Sequence, residues 1–428
     1  MTVAPPLPFI NRRAVVTNIL ALFSGSATAQ AMNALALLLI ARQIGPAQFG
    51  QYTGSTILTM FCAIFFNLGL DLWLLREGGR KPEQIGNLSG SVLAIKSILG
   101  LIWLAILFIL APKIETDSMP TDVLRQAAIM TWFTSLFAST LTTFKAILRN
   151  KITSILEVSS VIARLAGVLA LIVGGGTLAL QFIQVQSFIL FMSLLVSVVI
   201  GHRLLHFQPS WQTAIAALRQ SPSYAASDFL VNLFMRQDVL IVALLLGDTA
   251  VGLYSPAVGI LNAAFLAPGA VHLVIVPVLS NLFSVDTRQA WRTTRRSLGL
   301  LLIIGIVMSL VLLFGAPLVG WLLGASFSQS QNILKILSPI IFFHSINFGL
   351  AAVLVAGDLQ TQRSRVQAIA VIINALLNLL VVRLAGITGV AVVYVITEIV
   401  LLIGYAWLAL RFYKQTEAEK SLQESSWA

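Results

Sequence analysis

Cations lie inside long apolar runs of this sequence, where a charge is expensive to place. An ionisable residue at the centre of a membrane helix costs roughly 2.5 to 3.5 kcal/mol on insertion scales. Arg236, Arg164 and Lys96 occupy such positions. A guanidinium has forked donors that match phosphate oxygens, so these cations are candidates for binding a phosphate-bearing ligand. The alternative is that each is neutralised by a fixed acid, as Arg164 would be by Glu157, and only holds helices in register.

Polar residues at steps of four surround Arg236. Tyr224, Asp228, Asn232 and Arg236 fall on one side of a helix, and that side should face the interior of a bundle. Asn232 is therefore grouped with Arg236 as a ligand-binding candidate. Asp238 lies only two residues beyond Arg236 and points to a different side, so we expect it to pair with a neighbouring helix.

The buried acids have a second interpretation. Burial disfavours the charged form of a carboxyl group, so Glu398 and Asp238 are candidates for taking up protons or sodium in a coupled cycle. Asp228 and Glu157 are the other acids expected to couple or to pair with the buried cations. The sequence leaves both interpretations open.

Metal, redox and nucleotide chemistry have little support in the sequence. His272 and His344 each lack a second ligand at metal spacing, which favours packed histidines over metal ligands. The single cysteine, Cys62, excludes a disulfide framework. A Walker-type glycine loop is missing from the sequence. We therefore predict no metal and no cofactor.

The elements that position these residues are membrane helices. Of 428 residues, 58% are apolar and only 10% are charged, whereas a soluble domain has roughly a quarter of its residues charged. Apolar runs of about twenty residues recur along the chain, as helices that cross a bilayer require. The sequence predicts an all-α polytopic membrane protein with about twelve spans, near residues 14–40, 52–75, 86–111, 123–144, 152–173, 178–200, 222–246, 252–279, 298–314, 333–356, 366–382 and 387–410.

The positive charge of the chain indicates its orientation. With the N-terminus assigned to the cytoplasm, most of the 27 Lys and Arg residues fall in cytoplasmic loops and tails. This bias predicts that both termini are cytoplasmic. It also explains the net charge of +11 better than nucleic-acid binding does.

The two halves of the sequence resemble each other. Ile44–Tyr52 aligns without gaps on Leu246–Tyr254, and each motif joins the first two spans of its half. Six spans per half predict two six-helix bundles related by a parallel repeat about the membrane normal, with a substrate path between them. The glycines of the motifs are expected to set tight turns between helix ends: Gly45, Gly50, Gly247 and Gly252.

This pattern divides the chain into four parts. Residues 1–201 form the first bundle, 222–410 the second, and 411–428 a cytoplasmic tail. The connection at 202–221 has Trp211, Ile215 and Leu218 at helical spacing, which indicates an amphipathic helix at the membrane surface. A plain loop is the alternative.

The sequence resembles the bacterial O-antigen and exopolysaccharide flippases, the Wzx-like members of the multidrug/oligosaccharidyl-lipid/polysaccharide (MOP) exporter superfamily. The resemblance covers about residues 10 to 412 and rests on three features: Ala41–Gly50, the run Arg236–Asp238 followed by Leu246–Ala257, and Gly315–Gly320 leading to Gly324 and Phe327.

The resemblance implies an inner-membrane flippase. Such a protein moves a polyprenyl-pyrophosphate-linked oligosaccharide to the outer leaflet by alternating access. The motif match extends to Arg236 and Asp238, so the resemblance implies Arg236 as a headgroup ligand. Arg164 and Lys96 are headgroup candidates for their depth in the spans, and Asn232 for its helical spacing from Arg236. Membrane lipids, a polysaccharide polymerase and chain-length proteins are the implied partners. A cation-coupled multidrug antiporter of the same superfamily is one alternative. A membrane-embedded polymerase or ligase is another, although the outward loops are short and lack paired carboxylates, which disfavours an enzyme.

Overall fold

The computed structural model describes the backbone of residues 12–426. Side chains are described there except at 12–24, 223, 226–232, 234–235 and 418–426. Regular structure in this part of the chain is helical, apart from one isolated bridge between Thr116 and Met119. The predicted all-α class is confirmed.

Fifteen α-helices are described. Those of the first half are α1 Arg12–Cys62, α2 Ile64–Asn67, α3 Leu70–Arg80, α4 Ile85–Leu110, α5 Thr121–Ala146, α6 Asn150–Val173, α7 Ala179–Leu205 and α8 Trp211–Gln220. Those of the second half are α9 Pro222–Leu245, α10 Asp248–Ala264, α11 Leu266–Val285, α12 Thr287–Gly315, α13 Pro317–Leu323, α14 Ser328–Ala356 and α15 Gln360–Ser426.

Two of these helices each contain a sharp break. Gly45 in α1 has φ 75° and Gly386 in α15 has φ 56°, so each continuous range is two helices that meet at a glycine. Glycine adopts positive φ without the penalty of a Cβ atom. Among the described residues, nine helical segments are long and apolar enough to cross a membrane, and the two broken helices belong to two of them. The count of twelve spans stays a prediction.

The exterior of the helices is apolar, as a lipid solvent requires. Val173, Leu384 and Trp321 are among many large apolar side chains that are mostly exposed. A soluble protein rarely leaves contiguous apolar surface of this extent uncovered. The polar residues Lys96 and Glu398 are instead buried. The chain is a polytopic membrane protein.

The chain forms two compact units. One consists of Met1–Ile44 with Gln51–Leu233, and the other of Gly45–Gly50 with Phe234–Ala428. The connection predicted at 202–221 contains α8 and belongs to the first unit. Ala214 and Ala217 of α8 are buried in the same apolar cluster as Trp73 of α3.

The connecting segment 202–221 packs against small residues of α4. A Cβ atom at Gly86 would lie 2.1 Å from the carbonyl oxygen of Leu205, and one at Gly90 would lie 3.0 Å from the backbone nitrogen of Gln208. The Ser210 N–H donates to Ser91 Oγ at 2.9 Å. Backbone therefore rests directly on backbone at this position.

The repeated motifs contact each other within the second unit. A Cβ atom at Gly50 would lie 1.7 Å from the carbonyl oxygen of Asp248, and one at Gly252 would lie 1.8 Å from that of Pro46. Gly247, like Gly45, has positive φ and lies at a turn. The prediction of tight turns was therefore wrong for Gly50 and Gly252, which lie inside helices where two backbones cross.

The predicted second span is interrupted. α2 ends at Asn67, and Leu68 and Gly69 both adopt the left-handed conformation before α3 begins. The helix is thereby broken next to Asp71. Irregular backbone at membrane depth is tolerated where it is buried in protein or lines a polar cavity.

Candidate functional site

A closed polar network lies beside the break between α2 and α3. Lys96 of α4 is 0% exposed, and its ammonium group contacts Asp71 Oδ2 at 2.9 Å. It also donates to Ser139 Oγ at 2.8 Å and to the Ser135 carbonyl at 3.1 Å. Asn67, the last residue of α2, accepts from Ser135 Oγ. The network joins α2, α3, α4 and α5.

The network accounts for the charge of Lys96 without a ligand. An ammonium group has three donors, and Asp71, Ser135 and Ser139 accept one each. No donor is left for a phosphate oxygen. Lys96, predicted as a headgroup ligand, therefore fits better as a neutralised cation that connects helices.

Arg164 has a different environment in the same unit. It lies on α6, and its Nε atom is buried without a hydrogen-bond partner. The hydroxyl of Tyr52 and the carboxylate of Glu157 are within electrostatic range of its guanidinium. Tyr52 is held by Gln186 of α7, whose Nε2 donates to the tyrosine oxygen at 3.0 Å. A guanidinium with a donor to spare is suited to an anionic ligand.

Glu157 does not form the ion pair that was considered for Arg164. Its Oε2 atom accepts from Ser26 Oγ of α1 at 3.2 Å, and no ion pair within 4.0 Å joins Glu157 to Arg164. Glu157 lies two turns from Arg164 on α6, and its carboxylate contacts α1 instead. Neutralisation of Arg164 by Glu157 stays a prediction, because the acid is within electrostatic range but not in direct contact.

The predicted stripe on α9 is only partly described. The side chains of Asp228 and Asn232 lie outside the described residues. Arg236 is described and exposed, and it makes no ion pair within 4.0 Å with a described residue. The grouping of these three residues into one site stays a prediction.

Asp238 faces the neighbouring helix. Its Oδ2 accepts from the Tyr254 hydroxyl of α10 at 2.6 Å, and both side chains are buried. The adjacent Gln237 is also buried and donates to Asn374 Oδ1 of α15 at 2.8 Å. Asn374 in turn donates to Thr397 Oγ1 at 2.7 Å. A chain of buried polar side chains thus crosses from α9 to α15.

Glu398 lies at the centre of the second unit. It is 0% exposed, and its carboxylate contacts His344 Nδ1 at 2.9 Å and accepts from Asn347 Nδ2 at 2.8 Å, both on α14. Phe265 stacks on the His344 ring at 3.9 Å between centroids. The imidazole and the carboxylate form a buried hydrogen-bonded pair, which is an ion pair when His344 is protonated.

Tyr394 is a second buried tyrosine near these acids. It is buried one turn before Glu398 on α15, and its hydroxyl has no hydrogen-bond partner in the described structure. Glu398 and Asp238 are both within electrostatic range of that hydroxyl. The second unit thus holds two buried acids, two buried tyrosines and a histidine.

Sequence reasoning missed the partners that complete both clusters, namely Tyr52, Gln186, Tyr254, Asn347, Asn374 and Tyr394. One signal was available. The tyrosine shared by the repeated motifs occurs as Tyr52 beside Arg164 and as Tyr254 on Asp238. Each half uses its motif tyrosine at its own buried polar cluster.

The fold is similar to that of solved membrane transporters. An inward-facing multidrug resistance MATE transporter of the MOP superfamily matches with a TM-score of 0.69 at 14% identity, over 91% of this chain and 96% of that one. The inward closed structure of the lipid II flippase MurJ matches with a TM-score of 0.67 at 13% identity, over 90% of this chain and 87% of that one. A MOP superfamily transporter from Pyrococcus furiosus matches with a TM-score of 0.58 at 15% identity, over 94% of this chain and 96% of that one. No curated protein matches the chain.

The family is also shown. Residues 15–283 match the model of the family described as polysaccharide biosynthesis protein, and the chain belongs to that family. The predicted resemblance to a polysaccharide family is confirmed. The fold is similar to that of MOP superfamily transporters.

Proposed function

We propose that this protein is a flippase for a polyprenyl-pyrophosphate-linked oligosaccharide used in cell-surface polysaccharide assembly, such as O-antigen or exopolysaccharide. It would act in a bacterial inner membrane, with both termini cytoplasmic, and deliver substrate to a polymerase and its chain-length partners. Family membership supports the polysaccharide pathway. The likeness to the lipid II flippase supports a fold able to carry a lipid-linked sugar.

The observation that carries the proposal is the environment of Arg164. A pyrophosphate that crosses a bilayer needs positive charge at depth, and a guanidinium supplies paired donors for its oxygens. Arg164 keeps a buried donor unused beside Tyr52 and Gln186. The exposed Arg236 is the second proposed headgroup ligand, with Asn232 beside it on α9.

The acids of the second unit are the proposed coupling site. Glu398 with His344, and Asp238 with Tyr254, form two buried groups that can change protonation or hold a cation. Asp228 is retained as a further coupling candidate on α9. Ion movement at these acids would drive the alternating access of the headgroup site.

The Arg164→Gln variant in proteoliposomes tests the headgroup site. Flipping of a fluorescent polyprenyl-pyrophosphate oligosaccharide is expected to fall about ten- to a hundredfold, because a hydrogen bond to a charged group is worth about 1.5–3 kcal/mol. Arg383→Gln, which removes an exposed cation, is the matched control and should flip like the wild type. Equal flipping by Arg164→Gln would contradict the proposed site.

The cation-coupled drug antiporter is the competing function, because the fold is also that of a multidrug resistance transporter. The free cationic donor of Arg164 disfavours it, since a cationic drug would be repelled there. Uptake of a cationic dye by the same proteoliposomes would favour the antiporter if the lipid-linked sugar were not flipped.

A further inference from the structure

Residues 403–415 of α15 present a continuous face that the described residues of their unit do not cover. Trp407, Leu410, Arg411, Lys414 and Gln415 line a shallow recess of about 510 Å³ on this face. Trp407 is 60% exposed and Leu410 61%, and both cations are exposed as well. Apolar, aromatic and cationic groups are therefore all available to one external ligand.

The opposite face of the same turns is occupied by protein. The Phe412 ring lies 5.2 Å from Phe283 and 5.7 Å from Trp291, between centroids. Tyr413 meets Trp291 edge-on at 5.0 Å, and Trp291 Nε1 donates to Thr416 Oγ1 at 3.1 Å. At 3.6 residues per turn, Phe412 and Thr416 lie across the helix from Trp407 and Arg411. These contacts hold the free face in a fixed orientation.

Along the helix, the residues of this face change from apolar to aromatic to cationic, which is the order of the layers from the membrane core to its surface. Ile403, 65% exposed, comes first, then Trp407, then Arg411 and Lys414. Tryptophan favours the headgroup level, and Arg411 follows it by about 6 Å and Lys414 by about 10 Å along the helix. Each headgroup layer is roughly 5–7 Å thick, so Arg411 falls within it. The long side chain of Lys414 can extend back to lipid phosphate from just beyond the layer. Arg411 also lies over the Trp407 ring, 5.9 Å from its centroid.

This end of the unit is strongly cationic. The first turns of α12, which carry Trp291 and so adjoin Tyr413, present four exposed arginines: Arg288, Arg292, Arg295 and Arg296. The nearby acids are Asp286, which caps α12 by accepting from the Gln289 N–H, Asp358, which follows the Gly357 packed against the Phe412 ring, and the exposed Glu417. The balance of charge attracts anionic rather than zwitterionic lipid.

We propose that this face is a binding site for an anionic glycerophospholipid. Arg411 and Lys414 bind the phosphate, Trp407 and Leu410 lie at the interface, and the acyl chains lie along Ile403. The site is independent of the transported substrate. Its ligand stays in one leaflet and holds the end of α15 at a fixed depth.

Native mass spectrometry of the full-length protein tests the site, with phosphatidylglycerol and phosphatidylethanolamine as probes. The wild type is expected to retain phosphatidylglycerol in preference. Arg411→Gln/Lys414→Gln should weaken that retention roughly 30-fold, as the attraction of two interfacial cations implies. The matched control Arg383→Gln/Lys113→Gln removes two other exposed cations and should stay within about twofold of the wild type.

Equal retention of the two lipids by the wild type, or equal loss in the double variant and its control, would overturn the site. A photoactivatable phosphatidylglycerol added to the wild type gives a second measurement that needs no variant. Labelling of the peptide around 403–415 is expected. Labelling confined to other helices, or capture of a protein instead of lipid on this face, would also overturn the proposal.

Discussion

At the scale of single residues, the carboxyl group of Glu398 makes the most direct prediction about coupling. Its carboxyl group is fully buried and shares its contacts with His344 and Asn347. Glu398→Gln keeps the shape and removes the proton exchange. We expect flipping that no longer responds to an imposed proton or sodium gradient, measured in proteoliposomes with and without an ionophore.

The exposed acid Glu417, also on α15, supplies the control for that experiment. Glu417→Gln should keep the gradient response of the wild type. A Glu398→Gln protein that flips substrate with an unchanged gradient response would show that coupling does not use this acid.

The Lys96–Asp71 pair makes an asymmetric prediction about stability. Lys96 is 0% exposed, whereas the side chain of Asp71 is 33% exposed. Asp71→Asn leaves a buried ammonium unpaired and is expected to cost on the order of 3 kcal/mol. Lys96→Met should cost less, because the remaining carboxylate can reach solvent. Thermal unfolding in detergent measures the order, with Glu83→Gln as an exposed control.

The double variant Lys96→Met/Asp71→Asn removes both charges and should recover part of the stability lost in Asp71→Asn. If Lys96→Met were the more damaging single change, the ammonium would have a role beyond charge pairing, and the assignment of Lys96 to a structural network would be wrong.

Individual charged residues were predictable from sequence, and their partners were not. Lys96, Arg164, Asp238 and Glu398 stand out because charge inside an apolar run is rare. The contact of His344 with Glu398 joins residues 54 positions apart on different helices. Hydrophobic periodicity indicates which side of a helix is buried but not which helix faces it.

At the scale of elements, the crossing of the repeated motifs makes the sharpest prediction. Gly50→Ala and Gly252→Ala would each place a Cβ atom within 2 Å of a carbonyl oxygen, at 1.7 and 1.8 Å, so a backbone must move. Overpacking of this kind costs about 1–3 kcal/mol. We expect a lower thermal midpoint and a lower yield of monodisperse protein in detergent.

Gly259, on α10 with Gly252, provides the matched control because a Cβ atom there meets nothing within 4 Å. Gly259→Ala should be neutral or stabilising, as alanine favours helix over glycine. Equal tolerance of alanine at Gly252 and at Gly259 would show that the two backbones are less closely apposed.

Helix type and approximate position were accessible from sequence, but interruptions were accessible only near the ends of the apolar runs. The breaks at Gly45 and Gly386 fall near predicted span ends. The break at Leu68 and Gly69 lies inside a predicted span, where a single glycine does not by itself indicate an interruption and leucine has no preference for positive φ. Packing around Asn67 and Asp71 overrides the local preference of the chain there.

At the scale of the whole molecule, the two units differ in the charge of their buried clusters. The first holds Arg164 beside its motif tyrosine, and the second holds Asp238 on the equivalent tyrosine together with Glu398. The two motif tyrosines thus lie near a cation in one unit and on an acid in the other. This difference is the basis for proposing headgroup binding at Arg164 and coupling at Asp238 and Glu398.

The most direct test of this account is transport by the wild-type protein offered two classes of substrate. Proteoliposomes would receive a fluorescent polyprenyl-pyrophosphate oligosaccharide in one assay and a fluorescent cationic drug in the other. The account predicts that the lipid-linked sugar crosses faster than in protein-free liposomes and that the drug does not. Drug transport without movement of the lipid-linked sugar, across several sugar compositions, would contradict it.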